Sequence, residues 1–379
     1  MTTSTAPPSQ GLRTPGHPLP GAIPATIPAT MLAARIETST GAFGLHEIPV
    51  PQPGPGQVLL KVDAAGVCLT DVHVLDGSLR AFTPDGGPGH HITLGHEIAG
   101  TVAALGPAVP GTWSPGDRVM PMSRQRCERC TGCLSMSGPC TGLRTLGMDI
   151  DGGWAQYVLC AHHALVAVPG DLPAEAASIV PDAVTVPFSA LVRHGRLRAG
   201  EAVGLWGLGG LGAHGVQIAR AAGAAPLVGF DPLPGARARA LDLGADLALD
   251  PADPTAPAQV EALTGGRGLD LAVDFAGQGA ARDQAQRLLG TKGRLVLAGV
   301  CSGAVAVSDF GRFHDRRQSV TAFLGYPITD LRRVAGMVEL GRLDLSASVT
   351  EVFALEDAAR AVDLLRSGTT SPVRYVLRP

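Results

Sequence analysis

Cys68 lies in Gly66-Val-Cys68-Leu-Thr70-Asp71-Val-His73, and His96 lies in Gly95-His96-Glu97. A thiolate and an imidazole are good zinc ligands, and a catalytic zinc takes three protein ligands while one position stays open. Thr70 adds a hydroxyl, His73 an imidazole, the side-chain type suited to passing protons, and Asp71 and Glu97 add carboxylates at the same two places. A second constellation is Cys127-Glu-Arg-Cys130-Thr-Gly-Cys133 followed, after six residues, by Cys140. Four of the seven cysteines crowd there, and in a chain of 379 residues this favours metal binding in a reducing compartment over a disulfide framework.

A third stretch has the chemistry of a phosphate cradle. The apolar run 202–206 leads into Gly207-Leu208-Gly209-Gly210-Leu211-Gly212, then a helix-like segment to about residue 222, then an apolar run ending Phe230-Asp231. Gly207 permits a tight turn, Gly209 lets backbone approach a pyrophosphate, and Gly212 lets helix pack on strand. Free N–H groups and the helix dipole favour the phosphates. Asp231, nineteen residues beyond Gly212, is spaced to accept both ribose hydroxyls of an adenosine and would repel a 2′-phosphate. The expected cofactor is therefore NAD rather than NADP, with Arg237 the next cation along the chain.

The elements that must hold these residues fall into two kinds of text. Residues 1–30 are Pro, Thr, Ala, Ser and Gly with a single Arg, read as a disordered leader. From Met31 short β-runs alternate with Gly/Pro turns, which predicts a small barrel or folded sheet. Near Pro173 the text becomes helical and leads to the glycine stretch, after which strands and helices alternate as in a doubly wound parallel sheet. The tail, with helices near 331–340 and 355–367 and a last strand 373–377, is expected to return to the first domain. The division is leader 1–30, first domain 31–182, cofactor domain 183–325 and return 326–379.

Composition excludes other classes. With 45% hydrophobic residues and a formal net charge of −3, no basic field recommends nucleic acid. No run of eighteen apolar residues exists, so no membrane partner is expected, and the cytoplasm is the expected location. Cys160 and Cys301 read as buried thiols. His90-His91 and His162-His163 read as pairs whose side chains diverge along an extended chain.

Together Gly-Val-Cys68-x-Thr70-Asp71, Gly95-His96-Glu97, Gly116-Asp-Arg-Val119, the four-cysteine lobe and Gly207-x-Gly-x-x-Gly212 resemble the zinc-dependent alcohol dehydrogenases of the medium-chain dehydrogenase/reductase superfamily, from about residue 31 onward. The resemblance implies an α/β protein: a GroES-like, β-rich catalytic domain split around a Rossmann cofactor domain. It implies reversible hydride transfer between a small-molecule alcohol and NAD(P), giving an aldehyde or ketone, in a homodimer or homotetramer. By the same resemblance Cys68 and His96 match the first two catalytic zinc ligands. Asp182 stands at the place of the third, with Glu97 the runner-up. Thr70 matches the hydroxyl that touches the reacting oxygen, and His73 the histidine that passes the proton to solvent. Asp71 and Glu97 match carboxylates that tune the metal. Cys127, Cys130, Cys133 and Cys140 match the ligands of a second, structural zinc. The last loop is one residue short of the family's usual spacing, so a lobe in which only three thiolates converge stays open. Ser123 and Trp154 fall in segments that line the family's pocket, which predicts a pocket open on one side and floored by indole. The rival readings are a zinc-free reductase of activated double bonds and a non-catalytic cofactor-binding protein.

Overall fold

Val203–Trp206 is buried along its whole length, and the parallel strands beside it carry the same Val, Leu, Ala and Gly text, as a sheet covered on both faces requires. The computed structural model describes residues 26–79, 87, 89–135, 140–300, 304–368 and 371–379. The expected leader up to residue 25, Cys301 and the Gly138-Pro139 turn lie outside the described residues. The parallel sheet has six strands in spatial order Leu247–Leu249, Leu227–Phe230, Val203–Trp206, Leu269–Asp274, Leu289–Leu297 and Ser319–Ala322. In chain order this is 3-2-1-4-5-6, the doubly wound topology, whose switch point lies between Val203–Trp206 and Leu269–Asp274. Ligand sites of such sheets form outside the strand ends at that switch, where Gly207 begins. Trp206 stacks on Phe230 with centroids 4.2 Å apart, and its indole N–H donates to Gln284 at 2.9 Å.

The first part is antiparallel. Gln57–Val67 is its central strand, paired with Ile98–Leu105, Tyr157–Ala161 and, from the far end of the chain, Tyr375–Arg378. The tail thus returns as two strands, Glu351–Ala354 and Tyr375–Arg378, in the seven-stranded sheet. A three-stranded sheet, Phe43–Pro49, Thr30–Glu37 and His91–Thr93, lies beside it.

The two parts share the helical run Ala174–His194, so residue 182 sits inside a continuous element. It is the one helix among the described residues long and apolar enough to cross a membrane, and 78% of that window is buried inside the protein. Its residues belong to the largest core, which also takes in Val203, Leu205, Val216 and Val334. Two stretches, Val180–Val184 and Ser189–His194, are widened to π geometry. Pro181 and Pro187 lack an N–H and break the regular ladder, and the Val180 carbonyl accepts from both the backbone N–H and the hydroxyl of Thr185, the latter at 2.7 Å. Such bulges re-aim side chains, here Asp182.

His214, on the helix Gly210–Ala221, is buried where glycine loop, linker helix and tail meet. Its Nδ1–H donates to the Gly210 carbonyl at 2.7 Å, and its Nε2 accepts from the Ser348 hydroxyl at 2.9 Å. Burial, helped by Arg374, pulls its pKa down to about 4. Between the unfolded value near 6.5 and that figure, the unfolded chain binds the extra proton. Stability should therefore fall as pH drops through that window, by about 3 kcal/mol from this one residue. In urea unfolding at pH 7 and pH 4.5, His214→Gln should flatten the pH dependence; an unchanged slope would assign the loss to other groups.

Candidate active site

Cys68 caps the short helix Leu69–Leu75 through a reciprocal box with Asp71, whose Oδ2 accepts the Cys68 N–H at 2.9 Å. The other oxygen of Asp71 lies 3.3 Å from His96 Nδ1 and accepts the Gly95 N–H at 3.3 Å. One buried carboxylate therefore positions both motifs and leaves His96 Nε2 facing the third residue. Asp182 Oδ2 stands 3.7 Å from Cys68 Sγ and 3.9 Å from His96 Nε2, and Thr70 Oγ1 lies 3.7 Å from that sulfur. Zinc bonds of 2.0–2.3 Å to thiolate, imidazole and carboxylate make tetrahedron edges of about 3.3–3.5 Å, so these donors need close in by only a few tenths of an ångström. Cys68, His96, Glu97 and Asp182 all offer ligand atoms within 4.8 Å of one another.

The charges of these groups are set by one another and by burial. Burial would raise the carboxyl of Asp182, but the hydrogen bond and charge of His96, with Arg374, hold it well below the usual range. Burial would lower His96, and the Asp71 carboxylate overcomes this and raises it. Burial pushes the Glu97 carboxyl well up, against the pull of Arg374 2.9 Å away.

Arg374 is the residue that local patterns did not reveal. It is buried, reaches Glu97 at 2.9 Å and Asp182 at 3.7 Å, and stands beside the glycine loop: a Cβ on Gly210 would meet its guanidinium carbon at 3.0 Å. The Tyr326 hydroxyl donates to the Pro181 carbonyl, just before Asp182, and was also missed. Neither belongs to a motif; only the strand Tyr375–Arg378 and the crossing from Ser319–Ala322 bring them in.

In the glycine loop, Gly207 has φ +86 and a Cβ there would meet the Ala276 N at 2.9 Å. A Cβ on Gly212 would run into the Gly207 carbonyl, whereas Gly209 faces open space. Leu208, Gly210 and Leu211 complete a loop that opens the helix Gly210–Ala221. Asp231 lies at the end of the neighbouring strand, its oxygens accepting the Leu208 and Leu233 N–H groups at 2.8 Å each. Arg237 is held by the Asp231 and Pro232 carbonyls at 2.8 Å and by Asp250 at 3.4 Å. The cation turned to the loop is Arg239, which donates to the Leu208 carbonyl at 3.0 Å.

The lobe brings four sulfurs together: Cys130–Cys133 and Cys140–Cys127 at 3.5 Å, Cys127–Cys133 at 4.0 Å, all free thiols. Four 2.3 Å zinc–sulfur bonds make edges of about 3.8 Å. N–H groups of Thr141 and Cys133 pull the Cys130 thiol down to about 5, while burial pushes Cys140 up to about 11. Leu134 is 72% exposed, so little apolar packing holds the lobe.

The sequence singles out four further places in the chain: Trp154, His73, Cys160 and the His162-His163 pair. Trp154 is fully buried, donates to the Gly66 carbonyl at 3.1 Å and fills the space a Cβ on Gly95 would need. It supports the His96 loop from behind and floors no pocket. His73 is partly exposed, 3.1 Å from the Ser78 hydroxyl and 3.6 Å from Asp76. Cys160 is buried as expected, its thiol pushed up to about 12 by burial. His162-His163 lies in a 3-10 turn, with ring centroids 5.5 Å apart, where extended chain was expected.

Residues 54–170 match the alcohol dehydrogenase GroES-like domain, and residues 210–339 match the zinc-binding dehydrogenase domain. The chain is 31% identical to an NAD-dependent alcohol dehydrogenase of Sulfolobus acidocaldarius, over 88% of this chain and 95% of that protein. It is 28% identical to an L-threonine 3-dehydrogenase of Pyrococcus furiosus, over 88% and 95%. Among solved structures it superposes on a protein described only as a zinc-binding dehydrogenase, from Sinorhizobium meliloti 1021 and bound to NADP. The TM-score is 0.82 and the identity 28%, over 93% of this chain and 100% of that one.

Removing Arg374 strands the buried Glu97 and the partly buried Asp182. Arg374→Met should cost about 3–5 kcal/mol, read as a shift in the urea midpoint. The same change at Arg378, an exposed partner of Glu175, should cost less than about 1 kcal/mol. Equal shifts in the two variants would contradict the network.

Proposed function

The chain belongs to the zinc-type alcohol dehydrogenases of the medium-chain dehydrogenase/reductase superfamily, and from that premise we propose a zinc-dependent, NAD-linked dehydrogenase of a small-molecule alcohol. The observation that supports it best is the meeting of three donors, Cys68, His96 and Asp182, with the glycine loop through the single residue Arg374. When bound, zinc would supply a Lewis acid for the alcohol oxygen and the nicotinamide a hydride acceptor.

The chain's own residues divide the remaining work. Cys68, His96 and Asp182 would hold the catalytic metal, and Asp71 would keep the His96 ring oriented through Nδ1. Glu97 is engaged by Arg374, which makes it the weaker candidate for a ligand. Thr70, beside the donor face, would accept a hydrogen bond from the substrate hydroxyl and, as it takes that proton, give up its own towards His73. His73, three residues on along the same helix and partly exposed, would release that proton to solvent. Cys127, Cys130, Cys133 and Cys140 would hold a second zinc that folds the lobe and leaves no open position for substrate.

Activity is read as nicotinamide absorbance across primary, secondary, aromatic and amino alcohols, L-threonine among them, with and without a zinc chelator. Turnover unaffected by complete removal of zinc would overturn the reading. Metal analysis should give two zinc atoms per wild-type chain. Asp182→Asn, a neutral amide at the metal, should leave about one and lower turnover by roughly 100-fold or more; full metal content with normal turnover would reject Asp182 as a ligand.

Asp231 supports NAD over NADP, since its carboxylate is fixed at the strand end and Arg237 is tied to Asp250. Asp231→Ser should narrow the ratio of kcat/KM for NAD over NADP by about tenfold or more, with Arg239 available to the 2′-phosphate. A wild-type enzyme that uses NADP at least as well as NAD would refute the assignment.

A further inference from the structure

Beside the cysteine lobe, Glu128, His162 and His163 bring one carboxylate oxygen and one imidazole nitrogen each within 4.8 Å of one another. Adjacent histidines diverge in a strand, but these occupy the 3-10 turn His162–Ala164, where their rings cross at 90°. The turn is pinned on both sides. His162 N–H donates to the Gly56 carbonyl at 3.0 Å, the Trp113 indole donates to the His162 carbonyl at 3.1 Å, and Met122 N–H donates to Ala164 at 2.8 Å. Glu128 sits at φ +54, a left-handed conformation that a residue with a side chain seldom adopts. Its Oε2 lies 3.2 Å from His163 Nδ1, close to the separation of two ligand atoms that share a metal with bonds near 2.1 Å.

We propose that Glu128, His162 and His163 form a further, exchangeable site for a borderline divalent transition metal, of which Zn2+ and Ni2+ are the representatives. Two imidazoles and a carboxylate suit such ions, and three protein ligands leave positions for water. With no thiolate and a partly exposed carboxylate, the site exchanges its ion more readily than the cysteine lobe. Its placement has a consequence for the fold. Glu128 lies between Cys127 and Cys130, whereas the histidines belong to the turn between the strands Tyr157–Ala161 and Leu165–Ala167. An ion there ties the lobe to the β-sheet and should raise its resistance to unfolding.

The test uses full-length protein without a polyhistidine tag, loaded with zinc and gel-filtered to strip weakly held metal. Calorimetric titration with Zn2+ and with Ni2+ should show one further equivalent binding in the micromolar range, accompanied by a higher melting temperature. Glu128→Gln and the double variant His162→Gln/His163→Gln should each weaken that binding by about tenfold or more, while resident zinc and turnover stay at wild-type values. His46→Gln/His91→Gln removes the other close histidine pair, with centroids 5.1 Å apart, and should leave the binding intact. Titration with Co2+ separates this site from the lobe, since imidazole and carboxylate give no sulfur-to-cobalt charge-transfer band. Absence of a further equivalent, its persistence in the double variant, its loss with His46 and His91, or a sulfur-to-cobalt band on filling would each overturn the proposal.

Discussion

Three carboxylates, Asp71, Glu97 and Asp182, are withdrawn from water around a single guanidinium, Arg374, and the imidazole of His96, with the Cys68 thiol among them. Placing that much negative potential in a low-dielectric interior is unfavourable by several kcal/mol per ion unless cations share the space. Arg374 supplies one positive charge and His96 draws a proton. A divalent ion held there would displace that proton and take over its charge. The same constraint makes the neighbouring elements rigid, because each must hold a charge at a fixed distance from its partner.

The surroundings follow from it. The helical run Ala174–His194 widens at Pro181 so that Asp182 reaches inward, and Tyr326 fastens the carbonyl just before it. Trp154 presses on Gly95 and holds the His96 loop against the central strand. Arg374 then carries the cluster's electrostatics to the start of the helix Gly210–Ala221, where anions are favoured. A change in the metal cluster is therefore felt within one side chain's length of the cofactor loop.

The lobe obeys a different rule. Its sulfurs stand at separations close to the edges of a zinc tetrahedron, yet Leu134 faces solvent. Ordering a loop costs about 1–2 kcal/mol per residue, and apolar burial here cannot offset it. Metal–thiolate bonds would supply the missing order.

The sequence by itself determined the chemistry-bearing types and their local geometry. Cys68 with Asp71, His96 with Glu97, the Gly207–Gly212 turn and the four cysteines are each short-range patterns, and a turn, a cap or a glycine's φ is settled by nearest neighbours. The alternation of strand and helix after residue 200 likewise specified the doubly wound sheet, because periodicity is local. Tertiary structure alone decided which residues complete the site. Arg374 reaches Glu97 and Asp182 because Tyr375 pairs with Val67 in antiparallel register, a contact across most of the chain. The same holds for Trp154, whose aromatic character fitted a pocket wall as well as a core until Gly95 claimed its face. It also holds for His162 and His163, which converge only because their turn is wound as a 3-10 helix. Strand register and helix winding depend on long-range packing, and no window of sequence contains both partners.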